Sequence, residues 1–232
     1  MQAGPSHARQ YSGSFPQRDQ TPRGLIAFLT YSGAANASGN FLRAAPSRYN
    51  RRMQDDLDRI LIPQDALAQR VRELADQIAQ TYKDSTRGVV IVPILCGSVI
   101  FLADLIRCLP FKMRIGLVTV SSYGGGTQSS GRPRMLQSLN TDIAGRDVLV
   151  VDDILDTGNT LRFVLGELRS RDPASLRVCV LLRKKGKAPA DLHVDYVGFD
   201  IEDVFVVGYG LDYNDLYRNW PAIAVLRPEL YT

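Results

Sequence analysis

Apolar residues along much of this 232-residue chain recur with the periods of regular secondary structure. Between residues 63 and 82 they lie three and four positions apart, which predicts an amphipathic helix, and segments 96–109 and 159–171 show the same period. Short apolar runs bounded by turn residues alternate with these segments and predict buried strands. In chain order these runs are GVVIVPIL, RIGLVTVSSY, DVLVVDD, LRVCVLL, DYVGFDI and FVVGYG.

Strands that alternate with helices predict an α/β domain with a mainly parallel central sheet flanked by helices. The length suits one domain, which we place at residues 51–232. Between Tyr123 and Asp147 lies the Gly- and Ser-rich segment GGGTQSSGRPRMLQSLNTDIAG. Such a long irregular segment in a compact domain predicts a lid or a disordered loop.

Residues 1–50 show no sustained period and are rich in Ser, Gly, Ala, Arg and Gln. We therefore expect a mostly disordered N-terminal extension. Its Arg-rich, acid-poor composition would also suit an organellar transit peptide. A flexible tail or an over-extended gene start are the simpler interpretations.

The net charge of +4 belongs to that extension, which holds five arginines and one acid, so residues 51–232 balance to zero. A neutral domain gives no reason to expect a nucleic-acid partner. No apolar run approaches the roughly 20 residues of a membrane span. Three cysteines without zinc-like spacing predict free thiols in a reducing, cytoplasmic compartment.

The stretch VLVVDDILDTGNTL, residues 148–161, carries the clearest functional signal. It ends a buried strand with Asp152 and Asp153, and after Asp156 it begins a helix with the small polar residues 157–160. Free backbone N–H groups, hydroxyls and the positive end of a helix dipole suit a phosphate there. The paired acids would repel phosphate but suit sugar hydroxyls or Mg²⁺. The predicted ligand is a phosphorylated sugar with further negative charge and a metal.

Three other interpretations fit parts of this stretch. VLVVDD resembles a Walker B strand, but the chain has no G-x-x-x-x-G-K-[ST] motif to accompany it. It also resembles the acidic strand of a receiver domain, which would need more chain after it than remains here. The acidic pair alone could equally cap the next helix, although capping does not account for the whole string.

The same stretch resembles the phosphoribosyl-pyrophosphate signature of the type I phosphoribosyltransferases. The segments SSYGGGT, LLRKK and VDYVGFDIEDVFVVGYGLDYNDLYRN agree with it in order. The last is specific to the purine salvage branch, the hypoxanthine and hypoxanthine-guanine phosphoribosyltransferases. The resemblance covers about residues 60–232 and implies the type I fold with a small hood and a mobile lid loop. It also implies Mg²⁺ as cofactor, and usually a homo-dimer or tetramer.

The resemblance further implies roles for single residues around the sugar. Asp156 would be the general base that takes a proton from the purine ring. Asp152 and Asp153 would contact the ribose hydroxyls and the metal, and Asp152 stands where the family commonly has Glu. The 5′-phosphate would be held by Thr157, Gly158, Asn159 and Thr160.

The purine side follows from the same resemblance. Lys184 would donate to the 6-oxo group, Phe205 would stack on the base, and the Val206 carbonyl would read the purine edge. Without the resemblance, Phe205 and Val206 would be ordinary core-strand residues. Asp212 would serve a second Mg²⁺ and the purine edge. Lys185 and Lys187 would be a solvated basic turn.

Pyrophosphate would be bound by the loop at Cys96 and Gly97 and by Arg218. The family usually has lysine where this chain has Cys96, after a cis non-proline peptide whose backbone binds pyrophosphate. We therefore expect weaker pyrophosphate binding than in lysine-bearing relatives. Ser122 and Tyr123 would close the lid that keeps water from the reacting ribose.

The implied activity is the transfer of a phosphoribosyl group from phosphoribosyl pyrophosphate to a 6-oxopurine, giving IMP or GMP and pyrophosphate. The order of preference among hypoxanthine, guanine and xanthine stays open, because backbone groups would read the edge that differs. The alternative is a non-catalytic regulator on the same fold that senses phosphoribosyl pyrophosphate.

Overall fold

The computed structural model describes residues 53–122 and 133–231. The extension predicted at residues 1–50 and the lid residue Tyr123 lie outside the described residues. In chain order, the strands and helices are β1 (Leu57–Ile62), α1 (Gln64–Tyr82), β2 (Val89–Leu95), α2 (Val99–Cys108), β3 (Met113–Ile115), β4 (Val118–Ser122), β5 (Pro133–Gln137), β6 (Asp147–Leu155), α3 (Asn159–Arg169), β7 (Ser175–Lys184), β8 (Tyr196–Ile201), β9 (Val206–Val207) and β10 (Ile223–Leu226). A 3₁₀ turn at Pro228–Leu230 follows β10.

The predicted mainly parallel sheet is present. Its strand order is β5-β4-β2-β6-β7-β8, and β3 also pairs with β2. All of these pairs are parallel except β4 with β5. The centre, β2-β6-β7, consists of the continuous apolar runs that a sheet covered on both faces requires.

Helices cover both faces of this sheet because the side chains of each strand alternate between them. Ile91 and Leu149 face α1 and α2, where they join Leu74 and Phe101 in one core cluster. The residues on the opposite face belong to a second cluster with α3; they include Val90, Val92, Val148, Val150, Leu161 and Leu165. The fully buried strands therefore position their ends rigidly.

A second, smaller sheet was not predicted as such. It is antiparallel, with order β1-β10-β9, and FVVGYG contributes only the two residues of β9 to it. The prediction that FVVGYG continues the series of central strands was therefore wrong. β1 and β10 were missed because they pair over about 165 positions of sequence, with Leu57 opposite Leu226. This sheet suits the small hood that the family resemblance implies.

The structure differs from the sequence prediction at two further points, both before the stretch VLVVDDILDTGNTL. The run RIGLVTVSSY forms two strands, β3 and β4, because the chain leaves β2 after Ile115 and pairs with it again at Val118. The segment predicted as an irregular lid contains β5, which pairs with β4 in antiparallel register. None of the described helices is long and apolar enough to cross a membrane.

Candidate active site

Many of the predicted site residues lie at or just after the carboxyl ends of three neighbouring parallel strands. β2 ends at Leu95, β6 at Leu155 and β7 at Lys184, and β6 pairs with both of the others. Ligands of open α/β sheets bind outside the carboxyl ends of the strands. The three loops that begin there form the floor of two adjoining cavities.

The first cavity, of about 340 Å³, contains the predicted phosphate site. It is lined in part by the loop after β6 and the first turn of α3: Asp156, Thr157, Gly158, Asn159 and Thr160. Gly158 precedes the first residue of α3 with a φ of +74°, and a Cβ there would lie 2.8 Å from the Leu192 side chain. Both facts favour glycine, so the backbone can turn sharply into the helix whose N-terminus faces the cavity.

The loop after β2 forms another wall of this cavity. The Leu95–Cys96 peptide is cis, as the family resemblance implies, and Cys96 is exposed. Gly97 lies against the carboxylate of Asp153, because a Cβ on Gly97 would overlap that carboxylate. A Cβ on Gly210 would in turn overlap the Gly97 carbonyl oxygen. The loop is therefore packed between the acidic pair and the segment that follows β9.

Asp152 and Asp153 lie side by side at the end of β6, and Asp152 is buried. Burial raises the pKa of Asp152 well above its usual value, and the adjacent charge of Asp153 raises it further. Burial also raises the pKa of Asp153, while the charge of Arg218 opposes that shift. A cation bound between the two carboxylates would relieve their repulsion.

Two adjacent carboxylates are the hard oxygen ligands that Mg²⁺ prefers, so the donors fit the implied metal. Across residues 53–122 and 133–231, no group of three or more His, Cys, Asp or Glu side chains could hold a metal alone. The described residues thus offer only part of a coordination shell. Mg²⁺ commonly completes such a shell with water and substrate phosphates.

Arg218 lines the first cavity together with Asp152 and Asp153. Its guanidinium lies 2.8 Å from Asp212 Oδ1 and 2.9 Å from Asp215 Oδ1, and it donates to the Gly210 carbonyl at 2.9 Å. Three acceptors fix the planar group in one orientation. Asp212, predicted as a metal and purine residue, is thus paired with Arg218 and lines both cavities.

The second cavity, of about 470 Å³, contains the residues predicted to hold the purine. Lys184 lies in it with only 9% of its side chain exposed, and its Nζ is 3.1 Å from Asp156 Oδ2 and 3.0 Å from Asp203 Oδ1. Lys187 Nζ lies 3.5 Å from Asp156 Oδ1 and 3.0 Å from Asp203 Oδ2. The turn expected to be solvated therefore brings a second lysine to the predicted base.

One oxygen of Asp156 is weakly satisfied. Its Oδ1 is buried, and among the described residues its ion-pair partner is Lys187 Nζ at 3.5 Å, too far for a good hydrogen bond. Buried acceptors nearly always have a partner in native proteins. An N–H donor on a ligand would satisfy this oxygen, as the predicted proton transfer requires.

An aromatic cluster forms the far wall of the second cavity. Phe205 stacks on Tyr231, with ring centroids 4.7 Å apart and planes 25° apart, and Tyr213 meets Phe205 edge-on at 5.6 Å. Phe205, Val206 and Tyr231 all line the cavity. Tyr231 had no sequence signal, because it follows the last strand and reaches Phe205 only through the fold.

The two cavities share Asp153, Ile154, Asp156 and Asp212, so the predicted base lies between the sugar side and the purine side. Ser122 is the last residue of β4 and pairs with Pro133. The residues predicted to bind metal, ribose, phosphate, pyrophosphate and purine all line one or both cavities.

The sheet and the site are those of a phosphoribosyl transferase. This chain belongs to the phosphoribosyl transferase domain family, whose model matches residues 60–214. Among its relatives, the hypoxanthine-guanine phosphoribosyltransferase of Mycobacterium avium is 40% identical over 203 residues, covering 86% of this chain and 98% of that protein. The hypoxanthine-guanine-xanthine phosphoribosyltransferase of Tritrichomonas foetus is 42% identical, covering 78% and 97%. The crystal structure of a hypoxanthine phosphoribosyltransferase from Staphylococcus aureus superposes with a TM-score of 0.72 at 41% identity, covering 78% of this chain and 97% of that one.

Proposed function

We propose that this protein is a purine salvage enzyme that transfers the 5-phosphoribosyl group of phosphoribosyl pyrophosphate to hypoxanthine and guanine. The observation that carries the proposal is the pair of adjoining cavities that meet at Asp156. One offers a helix N-terminus and two carboxylates to a phosphorylated sugar. The other offers an ammonium group and an aromatic ring to a base. The relatives named above support the same activity.

The residues suggest how the transfer proceeds. A ring nitrogen of the purine forms the new bond to ribose C1, and the bond from C1 to the pyrophosphate oxygen breaks. Asp156 Oδ1 takes the proton that the purine ring loses, and Arg218 contacts the departing pyrophosphate. Lys184 donates to the 6-oxo group, a contact that adenine, with its 6-amino donor, cannot accept. The loop at residues 157–160 anchors the 5′-phosphate.

We propose Mg²⁺ as the metal, held by Asp152 and Asp153, with Asp212 placed to serve a second ion. The bound ion would supply charge neutralisation for the pyrophosphate oxygens. We further propose that the enzyme forms a homo-dimer or tetramer and works in the cytoplasm. All three cysteines are free thiols, which suits a reducing compartment.

A steady-state assay with hypoxanthine, guanine, xanthine and adenine tests this function. We expect turnover with hypoxanthine and guanine, little with adenine, and a loss of about 10²- to 10⁴-fold in kcat for Asp156→Asn. Activity with none of the bases would favour the regulator instead. Undiminished turnover by Asp156→Asn would show that another group is the base.

A further inference from the structure

Four charged side chains form a closed ring at the carboxyl end of β7. The ring runs from Lys184 to Asp156 at 3.1 Å, to Lys187 at 3.5 Å, to Asp203 at 3.0 Å and back to Lys184 at 3.0 Å. Each lysine contacts both carboxylates and each carboxylate contacts both lysines. The ring is neutral as a whole, which suits charges at the edge of a cavity.

Backbone contacts fix the turn that carries Lys187. The Lys185 N–H donates to the Ile201 carbonyl at 2.9 Å, and the Ala188 N–H donates to the Lys184 carbonyl at 3.3 Å. Lys187 is therefore held over the cavity, although 43% of its side chain is exposed. Hydrogen bonds from Lys184 and Lys187 lower the pKa of Asp203, and the bond to Asp203 raises the pKa of Lys187.

Lys184 and Asp156 already have proposed roles in the transfer. Both side chains must be held in one orientation, and Asp203 and Lys187 are placed to do this. Lys184 has three N–H donors, and its Nζ lies within 3.1 Å of two carboxylates, so a third donor remains for the purine oxygen. Asp203 lines the purine cavity beside Lys184, and its Oδ1 lies 3.0 Å from Lys184 Nζ. It therefore sets the direction of the Lys184 ammonium group.

Asp156 has a different requirement. The described residues hold its carboxylate only through the two lysines, one at each oxygen. Lys184 is also needed at the purine oxygen, whereas Lys187 Nζ lies beside Oδ1 at 3.5 Å. Without Lys187 the half-exposed carboxylate could rotate away from the purine N–H.

Resting on the function proposed above, we propose that Lys187 and Asp203 are positioning residues for the transfer. Asp203 aims Lys184 at the 6-oxo group, and Lys187 holds the Asp156 carboxylate in the orientation that accepts the proton. Lys187 contacts the Asp156 carboxylate and Asp203 contacts Lys184, and neither is assigned a bond to the substrate. Both act through the residue that they contact.

Lys187→Gln and Asp203→Asn test the two roles separately. Lys187→Gln should lower kcat about tenfold with KM for phosphoribosyl pyrophosphate unchanged, because only the base is misplaced. Lys187→Arg keeps the charge and should restore most of kcat. Asp203→Asn should raise KM for hypoxanthine about tenfold, because Lys184 then closes on Asp156 and the purine must break that pair.

Matched controls lie on the same two segments. Lys185→Gln removes the same charge two positions away, but Lys185 lines a different cavity. Asp200→Asn removes a carboxylate that pairs with Arg183 at 2.6 Å outside the purine cavity. Both controls should keep the kcat and both KM values of the unchanged protein. Thermal unfolding of each variant separates misplacement from misfolding, and Asp203→Asn tests the ring independently if Lys187→Gln folds poorly.

Three results would overturn the proposal. Unchanged kcat in Lys187→Gln together with unchanged KM in Asp203→Asn would remove both roles. A loss of kcat in Lys185→Gln as large as that in Lys187→Gln would mean that the positive charge of the turn matters and not the contacts within the ring. Turnover by the unchanged protein with no purine would overturn the proposed function as well, whereas the first two results leave that function intact.

Discussion

Gly97→Ala is the substitution whose effect the structure defines most sharply. The added methyl group would overlap the carboxylate of Asp153. Non-bonded heavy atoms settle at about 3.5 Å, so either the loop or the carboxylate must shift by on the order of 1 Å. A displacement of that size in a positioned group costs about 10²-fold in rate. We therefore expect kcat/KM for phosphoribosyl pyrophosphate to fall about 100-fold, or about 2.7 kcal/mol of transition-state stabilisation.

Steady-state kinetics at saturating hypoxanthine, with phosphoribosyl pyrophosphate and Mg²⁺ varied in turn, measures this loss. Gly166→Ala is the matched control, because nothing lies within 4 Å of a Cβ at this exposed position of α3. That control should keep its activity and gain up to about 1 kcal/mol of stability from the better helix former. A Gly97→Ala protein with unchanged kcat/KM and unchanged Mg²⁺ dependence would refute the contact between this loop and the acidic pair.

Three further outcomes follow from single side chains. Cys96→Lys should lower the dissociation constant for pyrophosphate, measured by calorimetry; no gain in affinity would mean that the backbone alone determines binding. Tyr231→Ala should raise KM for hypoxanthine several-fold with kcat nearly unchanged, because Phe205 loses its stacking partner; Tyr231→Phe should have no effect, and equal losses in both would point to the hydroxyl. Burial alone would raise the pKa of Asp147, but hydrogen bonds from two serine hydroxyls outweigh burial and lower it. Stability from this carboxylate is therefore present above its unfolded pKa and is lost as pH falls through the lower folded value. Asp147→Asn should cost about 2 kcal/mol at neutral pH in chemical denaturation, and the difference should shrink below about pH 4. A difference that stays constant with pH would exclude this linkage.

The central sheet and the sugar side of the site could be predicted because their signals are local. Residues 148–161 contain a buried strand, an acidic pair and a helix start in one continuous stretch. Parallel pairing then brings the end of β6 beside the ends of β2 and β7. Their continuous apolar runs already indicated that these strands are buried.

The rest depends on contacts between distant segments, which no local period reports. β1 pairs with β10 across most of the domain, and Tyr231 reaches Phe205 from the C-terminal 3₁₀ turn. Lys187 looked like part of a solvated turn, because its partner Asp203 comes from the segment after β8. The charged ring is thus a property of two loops that meet, and each loop alone is unremarkable in sequence.

Phosphorus NMR of one reaction mixture tests the central claim most directly. Purified protein is incubated with phosphoribosyl pyrophosphate, hypoxanthine and Mg²⁺, and the phosphorus products are followed with time. The account predicts equal amounts of IMP and pyrophosphate, with no turnover to ribose 5-phosphate when the purine is left out. Ribose 5-phosphate as the main product, or no reaction with any 6-oxopurine, would contradict transfer at this site.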